Sequence, residues 1–157
     1  MSAEGLGEAL FGAGVDGVID YVESILGEPT DDSGWVDPIT VGACPGTEVR
    51  FVSWSDLHLF FTDESTVAAG ARHFASYRYG PALGPRVAPF GITTPEGMGV
   101  GSTVGELRFT YSEGILTPGD DIFPPTFLVE DGLQAFLTGT ADEDVAIDWV
   151  GGFGCGE

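Results

Sequence analysis

The fold begins with the stretch Phe11-Gly-Ala-Gly-Val15-Asp-Gly-Val18-Ile19-Asp-Tyr-Val22-Glu-Ser-Ile25-Leu26-Gly27-Glu-Pro29. Its apolar residues recur at the spacing of one helix face, which predicts an amphipathic α-helix. The helix is expected to end at Gly27 and Pro29, because glycine tolerates a left-handed cap and proline cannot continue the hydrogen-bond ladder.

A weaker copy of this stretch follows later as Gly101-Ser-Thr-Val104-Gly-Glu-Leu107-Arg-Phe109-Thr-Tyr111. Gly101 stands 89 positions after Gly12, and the valines that begin the two apolar patterns share that offset (101 − 12 = 89). The copy predicts a second helix over about 103–113, opened by Thr103 as N-cap with Glu106 completing a capping box. Gly14 is the equivalent of Thr103 and is a weaker cap.

The charge balance limits the partners. The chain has 25 acidic residues against five basic ones, all of them arginine, for a net charge of −20. Such a surface repels phosphate, which argues against nucleic acid or an anionic membrane as partner. Three interpretations stay open for the acidity: a solvated surface suited to a salty medium, a basic partner protein, or bound calcium.

Composition favours short strands and turns. With 25 glycines and 10 prolines in 157 residues, a helical bundle is not expected, and the 43% hydrophobic content provides a core. No apolar run is long enough for a membrane span. We predict strands at the following ranges: 48–54, 57–61, 74–79, 126–129, 132–138 and 143–150. Residues 62–70 are predicted to form a polar loop or a brief helical turn.

These elements predict an α+β fold of two tandem repeats, each a helix packed on an antiparallel sheet with one open sheet face. The predicted domain organisation within one globular body is a first repeat at 1–80, a Pro/Gly-rich linker at 81–97 and a second repeat at 98–157. The open face is where a function is expected.

The two cysteines, Cys44 and Cys155, lie near glycines at matching edges of the two repeats. One disulfide between them would stabilise the chain by roughly 4–5 kcal/mol on the loop-entropy estimate, and two inert free thiols are the alternative. The N-terminus has no signal-peptide pattern, which taken literally indicates cytoplasm, but a mature exported fragment would look the same. The disulfide favours an extracellular or cell-surface location, with the export signal removed.

No catalytic or metal-binding pattern stands out. The acidic clusters Asp31-Asp32, Asp120-Asp121 and Asp142-Glu143-Asp144 lack calcium-loop spacing and are interpreted as solvated loops. His58 and His73 lack further ligands at zinc-site spacing. The glycine run at 97–103 lacks the Lys-Ser/Thr of a phosphate-binding loop. We therefore predict no cofactor, no metal site and no catalytic residue.

Aromatic side chains supply the candidate binding surface. With Val49, Phe51, Leu57, Leu59 and Phe61 facing the helix, other side chains should project from the open face. These partner-binding candidates are Arg50, Trp54, His58, Phe60, Tyr77, Tyr79 and Phe136. Trp, Tyr and Arg are enriched in protein-binding surfaces because they bury much area at little entropic cost. The alternative is that these rings belong to the core or lie under the linker, since strand phase can slip by one residue.

The glycine-rich approach to a helix ending in Leu26-Gly27-Glu-Pro29, followed by antiparallel strands, resembles the tandem repeat of the beta-lactamase inhibitory protein family and the small outer-membrane assembly lipoproteins. The segments Cys44-Pro-Gly to Phe61-Thr-Asp and Thr94-Pro-Glu-Gly-Met98 to Leu107 resemble secreted actinobacterial proteins of unassigned function. The resemblance implies an exported, non-catalytic fold with a concave sheet open to a partner. Such inhibitors usually carry a disulfide within each repeat, and this chain departs from that pattern.

The sequence thus predicts a secreted or cell-surface binding module that uses an aromatic sheet face to hold a protein partner. A basic partner is one of the open interpretations of the charge. Two alternatives from other classes stay open. One is a hydrolase whose carboxylates converge in space, and the other is an acidic surface domain stabilised by calcium.

Overall fold

Helix α1 forms where the apolar spacing predicts it, over Val15–Leu26, with Gly27 as C-cap. The computed structural model that shows this describes residues 1–41, 44–81 and 91–152. Val18 and Val22 are buried on the core side of the helix. The Gly27 amide donates to the Glu23 carbonyl at 2.8 Å, so the left-handed glycine closes the last turn as expected.

Strands dominate the described residues. Before α1 lie β1 (Gly5–Leu6) and β2 (Ala9–Leu10); after it come β3 (Asp31–Asp32), β4 (Val49–Trp54), β5 (Leu57–Glu64) and β6 (Ala69–Tyr79). Helix α2 (Val104–Thr110) is followed by β7 (Ile115–Thr117), β8 (Thr126–Glu130), β9 (Leu133–Leu137) and β10 (Ala146–Gly152). A short 3₁₀ helix spans Pro38–Val41.

The predicted fold class is wrong. All ten strands of the described ranges belong to antiparallel sheet and only two α-helices occur there, so the fold is mostly β and not two helix-on-sheet repeats. One cause is that β5 and β6 extend into the segment 62–70, where the sequence predicts a loop. The other is that α2 has only seven residues, too few to form the covering layer of a repeat.

The chain divides into two compact units, which we describe separately. The N-terminal unit comprises Glu4–Tyr77 with Gly152, and the C-terminal unit comprises Met1–Ala3 with the described part of Arg78–Gly151. The predicted linker, 81–97, falls partly outside the described residues. Its later part folds into a turn in which the Thr94 amide donates to the Met98 carbonyl at 2.8 Å.

In the N-terminal unit, β3, β4 and β5 are neighbours in an antiparallel arrangement, with Asp32 opposite Val52 and Val52 opposite Leu59. Directly opposite residues point to the same face of a sheet. The core of this unit therefore collects Val52, Trp54, Leu57, Leu59 and Phe61 on one face, all of them buried. The Phe74 ring packs on Phe61, with ring centroids 5.7 Å apart.

In the C-terminal unit, the strands follow the order β7-β8-β9-β10, with each neighbouring pair antiparallel. One row runs through Phe127, Ala135 and Trp149, which are opposite one another and fully buried. Val104 and Leu107 of α2 are also buried. This row therefore marks the inner face of the sheet, and the residues between its members point to the other face.

Candidate functional site

Three of the seven predicted partner-binding residues belong to the core. Trp54, Tyr77 and Tyr79 are 1%, 0% and 0% exposed, so the expectation that they project from an open face is wrong. The indole Nε1 of Trp54 donates to the Gly27 carbonyl at 2.8 Å, and the Tyr77 ring stacks on Phe11 with centroids 6.0 Å apart. The Tyr79 hydroxyl accepts a hydrogen bond from the Ile92 amide at 3.1 Å.

The phase of β4 explains the error at Trp54. Arg50 pairs with Phe61 and Trp54 pairs with Leu57, so β4 presents Arg50, Val52 and Trp54 on the same face as the apolar residues of β5. Phe51 pairs with Phe60, and these two residues share the other face. The predicted arrangement placed Val49 and Phe51 on the face of Leu57 and Leu59, which is a slip of one residue in β4.

Arg50 and Arg72 line an open pocket of about 250 Å³ in the N-terminal unit, together with Val15, Asp16 and Trp35. Arg50 binds Asp32 through both Nε and Nη2, at 2.9 and 2.5 Å, and this bond holds the pKa of Asp32 below its usual range.

Arg72 reaches Glu48 at 2.6 Å and lies over the Trp35 ring, 4.2 Å from its centroid. With Asp16, Asp32 and Glu48 set against two guanidinium groups, the pocket has no excess of positive charge for an anion.

The two histidines make local hydrogen bonds. His58 lies on the face of Phe60, and its Nδ1 is 2.7 Å from the Ser53 hydroxyl. His73 is buried, with Nδ1 2.7 Å from the Ala71 carbonyl and Nε2 2.6 Å from the Ser65 hydroxyl. Because a carbonyl only accepts, Nδ1 of His73 carries the proton. Among residues 1–41, 44–81 and 91–152, no group of three or more His, Cys, Asp or Glu is arranged to hold a metal.

Phe60 and Cys44 lie together on a small cluster in the N-terminal unit. Cys44 is buried against Val49, with Val36 and Phe60 half-buried around them. The predicted partner of Cys44, Cys155, lies outside the described residues, so the disulfide stays a prediction.

The acidic clusters organise loops. The Asp144 carboxylate accepts from the Ala141 amide at 2.8 Å and from the Thr138 hydroxyl at 3.1 Å, and Asp142 pairs with Arg108 at 3.1 Å. Asp120 accepts from the amides of Ile122 and Phe123, both at 2.8 Å, and the bond from Phe123 lowers its pKa most. Asp144 and Asp120 therefore accept hydrogen bonds from the amides of their own loops, and Asp142 forms an ion pair with Arg108.

A small polar cluster surrounds Tyr111 beside a cavity of about 230 Å³. The Tyr111 hydroxyl is 2.6 Å from Thr94 Oγ1 and donates to Glu96 Oε2 at 2.9 Å. Burial raises the pKa of Tyr111 to about 12, whereas the bond from Tyr111 lowers the pKa of Glu96. Neither group changes protonation near neutral pH, so this cluster is suited to hydrogen bonding and not to proton transfer.

The outer face of the C-terminal sheet, opposite the row of Phe127, collects the remaining candidate, Phe136. Register aligns the outer-face residues in two rows: Ile115, Leu128, Gln134 and Val150 in one, and Thr117, Thr126, Phe136 and Asp148 in the other. Exposure rises across the face, from 1% at Asp148 and 8% at Val150 in β10 to 58% at Ile115 in β7. The face is therefore closed at β10 and open towards β7.

Arg78 closes the β10 side of the outer face. Its guanidinium forms a short ion pair with the buried Asp148 carboxylate and lies 5.7 Å from the centroid of the Phe136 ring. A buried carboxylate needs such a partner, because leaving it unpaired would be strongly destabilising. The Arg78 guanidinium thus contacts both the Asp148 carboxylate and the Phe136 ring, and the Arg78 side chain is one-third exposed.

Ile115 and Leu128 are not among the residues that the sequence predicts for the binding surface. Leu128 stood in a predicted strand whose alternation with Phe127 could have placed it on the outer face. Ile115 lies between the predicted helix and the predicted strand at 126–129, where only its β-branched side chain indicates a strand.

No protein-family model, curated protein or solved structure matches the chain. The resemblance to the inhibitory-protein family therefore stays a prediction. In the described part of the chain, neither helix has the length and apolar character needed to cross a membrane.

Proposed function

We propose that this chain is a non-catalytic binding module and that it holds a protein partner on the outer face of the C-terminal sheet. The observation that supports the proposal is the alignment of Ile115, Leu128 and Phe136 on one face whose exposure rises towards β7. Half-buried apolar side chains fixed by strand register offer contact area at little entropic cost.

The rest of the face has the composition of a protein interface. Thr117, Thr126 and Gln134 supply polar groups beside the apolar side chains, and Arg78 stacks on an aromatic ring at the closed side. Interfaces combine an apolar centre with polar surroundings and are enriched in aromatic residues and arginine. We also propose that the protein is exported and that its partner is basic. The net charge of −20 favours association with a cationic surface.

The test uses a photo-crosslinking amino acid at Leu128, with the same residue at exposed Ile39 in the N-terminal unit as a matched control. We expect one distinct protein to be crosslinked from Leu128 and not from Ile39. That protein is then purified and its affinity measured against Leu128→Glu and Ile39→Glu. A contact at the centre of an interface should weaken binding about tenfold or more.

Because Leu128 is half-buried, Leu128→Thr serves as a second variant, and thermal unfolding of each variant checks the fold. Equal affinities of the Leu128 and Ile39 variants for the purified partner would overturn the proposal.

A further inference from the structure

We infer that β7 accepts an extended, basic segment of the partner as an added strand. The inference rests on the proposed function, because β7 is the open border of the outer face. It adds a binding mode, main-chain pairing along an edge strand, and a partner chemistry, a chain with lysine or arginine beside apolar side chains.

Each unit ends its strand order on a short strand, β3 in the N-terminal unit and β7 in the C-terminal unit, and the two strands differ in charge. β3, which pairs with β4, consists of Asp31 and Asp32, whose carboxylates deter another strand. β7 pairs with β8 and is the last strand on its side within the described ranges. Its residues are Ile115, Leu116 and Thr117, none of them charged. An apolar edge of this kind is a template for strand pairing.

The loop between β7 and β8 adds preset apolar contacts at one end of that edge. Asp120 accepts from the amides of Ile122 and Phe123, and its own amide donates to the Phe123 carbonyl at 2.8 Å. This turn holds the Ile122 and Phe123 side chains 81% and 62% exposed. Because the backbone is already ordered, a partner contacting these side chains has little ordering entropy left to offset.

The charges around β7 indicate which kind of segment can bind along its edge. From Phe109 to the C-terminus the sequence contains no lysine, arginine or histidine. Glu113 lies two residues before Ile115, and the exposed Asp120 and Asp121 follow β7 in the loop. An added strand is thus flanked by carboxylates at both ends, which favours a basic segment and disfavours a second copy of this acidic chain.

The probe for the test is a synthetic peptide of roughly nine residues that alternates lysine with valine, about the length that spans an edge strand and its flanks. A second peptide has the same sequence with each valine amide N-methylated, and a third has it with each lysine amide N-methylated. Fluorescence anisotropy at low ionic strength measures the affinity of each peptide for the full chain. Either edge of the peptide can pair with β7, and one edge carries the valine amides while the other carries the lysine amides. A fourth peptide, N-methylated at every valine and lysine amide, therefore blocks both edges.

We expect the unmodified peptide to bind and the fully methylated peptide to bind at least about tenfold more weakly, because pairing needs the peptide amides. Ile115→Lys should weaken binding of the unmodified peptide by a similar factor, while Ile39→Lys, which adds the same charge elsewhere, should change it less than about twofold. Ile115→Thr checks that the loss does not come from charge alone.

Equal binding of methylated and unmodified peptides, or equal effects of the Ile115 and Ile39 variants, would overturn the inference. So would a dimer in light scattering that Ile115→Lys abolishes, since the edge would then belong to a second copy. The two proposals fail separately. Partner binding that depends on Leu128 but not on Ile115 or the peptide amides keeps the proposed function and removes the added strand. Partner binding that depends on Ile115 and the peptide amides but not on Leu128 would support the added strand and contradict the proposed role of the outer face.

Discussion

The segments that lead into α1 and α2 have the same backbone path. Gly12 and Gly101 have φ values of 90° and 92°, and each amide donates to a strand carbonyl, that of Phe74 at 2.8 Å and that of Ala146 at 2.7 Å. Two residues further on, Gly14 and Thr103 each form an isolated antiparallel bridge, to His73 and to Val145. The offset of 89 found in the sequence therefore marks a shared local geometry.

The side chains that stabilise the two helices differ. α1 has 12 residues and no side-chain hydrogen bond at its N-cap, and its C-terminal carbonyl at Gly27 is held by Trp54. α2 has seven residues and a full capping box between Thr103 and Glu106. Short helices are marginal because nucleation is costly, so α2 depends on its cap, whereas α1 depends on packing along its length. The two helices thus follow the same backbone path at their starts but are stabilised differently, α1 by packing and α2 by its capping box.

The largest loss of stability is expected when the hydrogen bond from Trp54 to the Gly27 carbonyl at the end of α1 is removed. Trp54→Ala should reduce the free energy of unfolding by about 3–5 kcal/mol, because it empties a core site and leaves the Gly27 carbonyl without its donor. Urea unfolding followed by circular dichroism measures the loss.

Trp149→Ala is the matched variant in the C-terminal unit. The Trp149 Nε1 has no hydrogen-bond partner among the described residues, so only the packing contribution is lost there. A loss at Trp54 near that of an exposed residue would show that its ring does not belong to the core.

The shared glycines should be equally intolerant of a side chain. Gly12→Ala and Gly101→Ala should each destabilise the fold by about 1–2 kcal/mol, since both positions have positive φ. Little else opposes the methyl groups: the added Cβ meets only Val67 Cγ2 at 3.8 Å in the first case and nothing within 4 Å in the second.

Gly17→Ala is the control for these two variants, because Gly17 lies within α1 with open space at its Cβ. That change should stabilise the helix by about 0.5–1 kcal/mol. Unequal losses at Gly12 and Gly101 in urea unfolding would mean that the two approaches are not equivalent.

Exchanging the caps tests whether the two ways of stabilising the helices are interchangeable. Thr103→Ala should reduce the free energy of unfolding by about 1 kcal/mol. The double variant Gly14→Thr with Gly17→Glu installs the capping box on α1, where both positions have open space, and should raise that free energy by about 1 kcal/mol. Thermal unfolding measures both changes, and a destabilised double variant would contradict the equivalence of the two N-caps.

The smallest effect is the pH dependence of the α2 cap. The Thr103 amide and hydroxyl bind the Glu106 carboxylate and lower its pKa below 4.5. A lowered folded pKa gives stability that is present above the unfolded value and is lost as pH falls through the folded value. The wild-type chain should therefore exceed Glu106→Gln in stability at neutral pH, and the difference should shrink below about pH 4.5. A constant difference from pH 7 to 3 would exclude a role for the carboxylate charge.

The sequence predicted the parts of the fold that depend on neighbouring residues. The ends of α1, the capping box of Thr103 and Glu106, and the presence of strands at β4 and β5 all follow from local spacing. The phase of β4 did not, because Val49, Phe51, Val52 and Trp54 are apolar on both alternations and no local pattern separates them.

The parts of the fold that the sequence did not predict depend on contacts between residues far apart in the chain. β5 continues through Thr62, which pairs with Val49 of β4, and the Thr62 hydroxyl donates to the Pro45 carbonyl at 2.7 Å, 17 positions away. The outer face likewise appears only once register brings Ile115 beside Leu128 and Thr126 beside Phe136. Sequence spacing within one strand carries no information about which residues lie opposite it, and Phe136 is the one member of this face that the sequence-based prediction named.

The pairing of arginine with carboxylate has a consequence for the solution around the protein. Arg50, Arg72, Arg78 and Arg108 are each bound to an acidic side chain. Electroneutrality then requires mobile cations from the buffer to balance the net charge of −20. Folding draws these charges together, and dissolved ions relieve their mutual repulsion. Lowering the ionic strength should therefore strengthen this repulsion and reduce the free energy of unfolding.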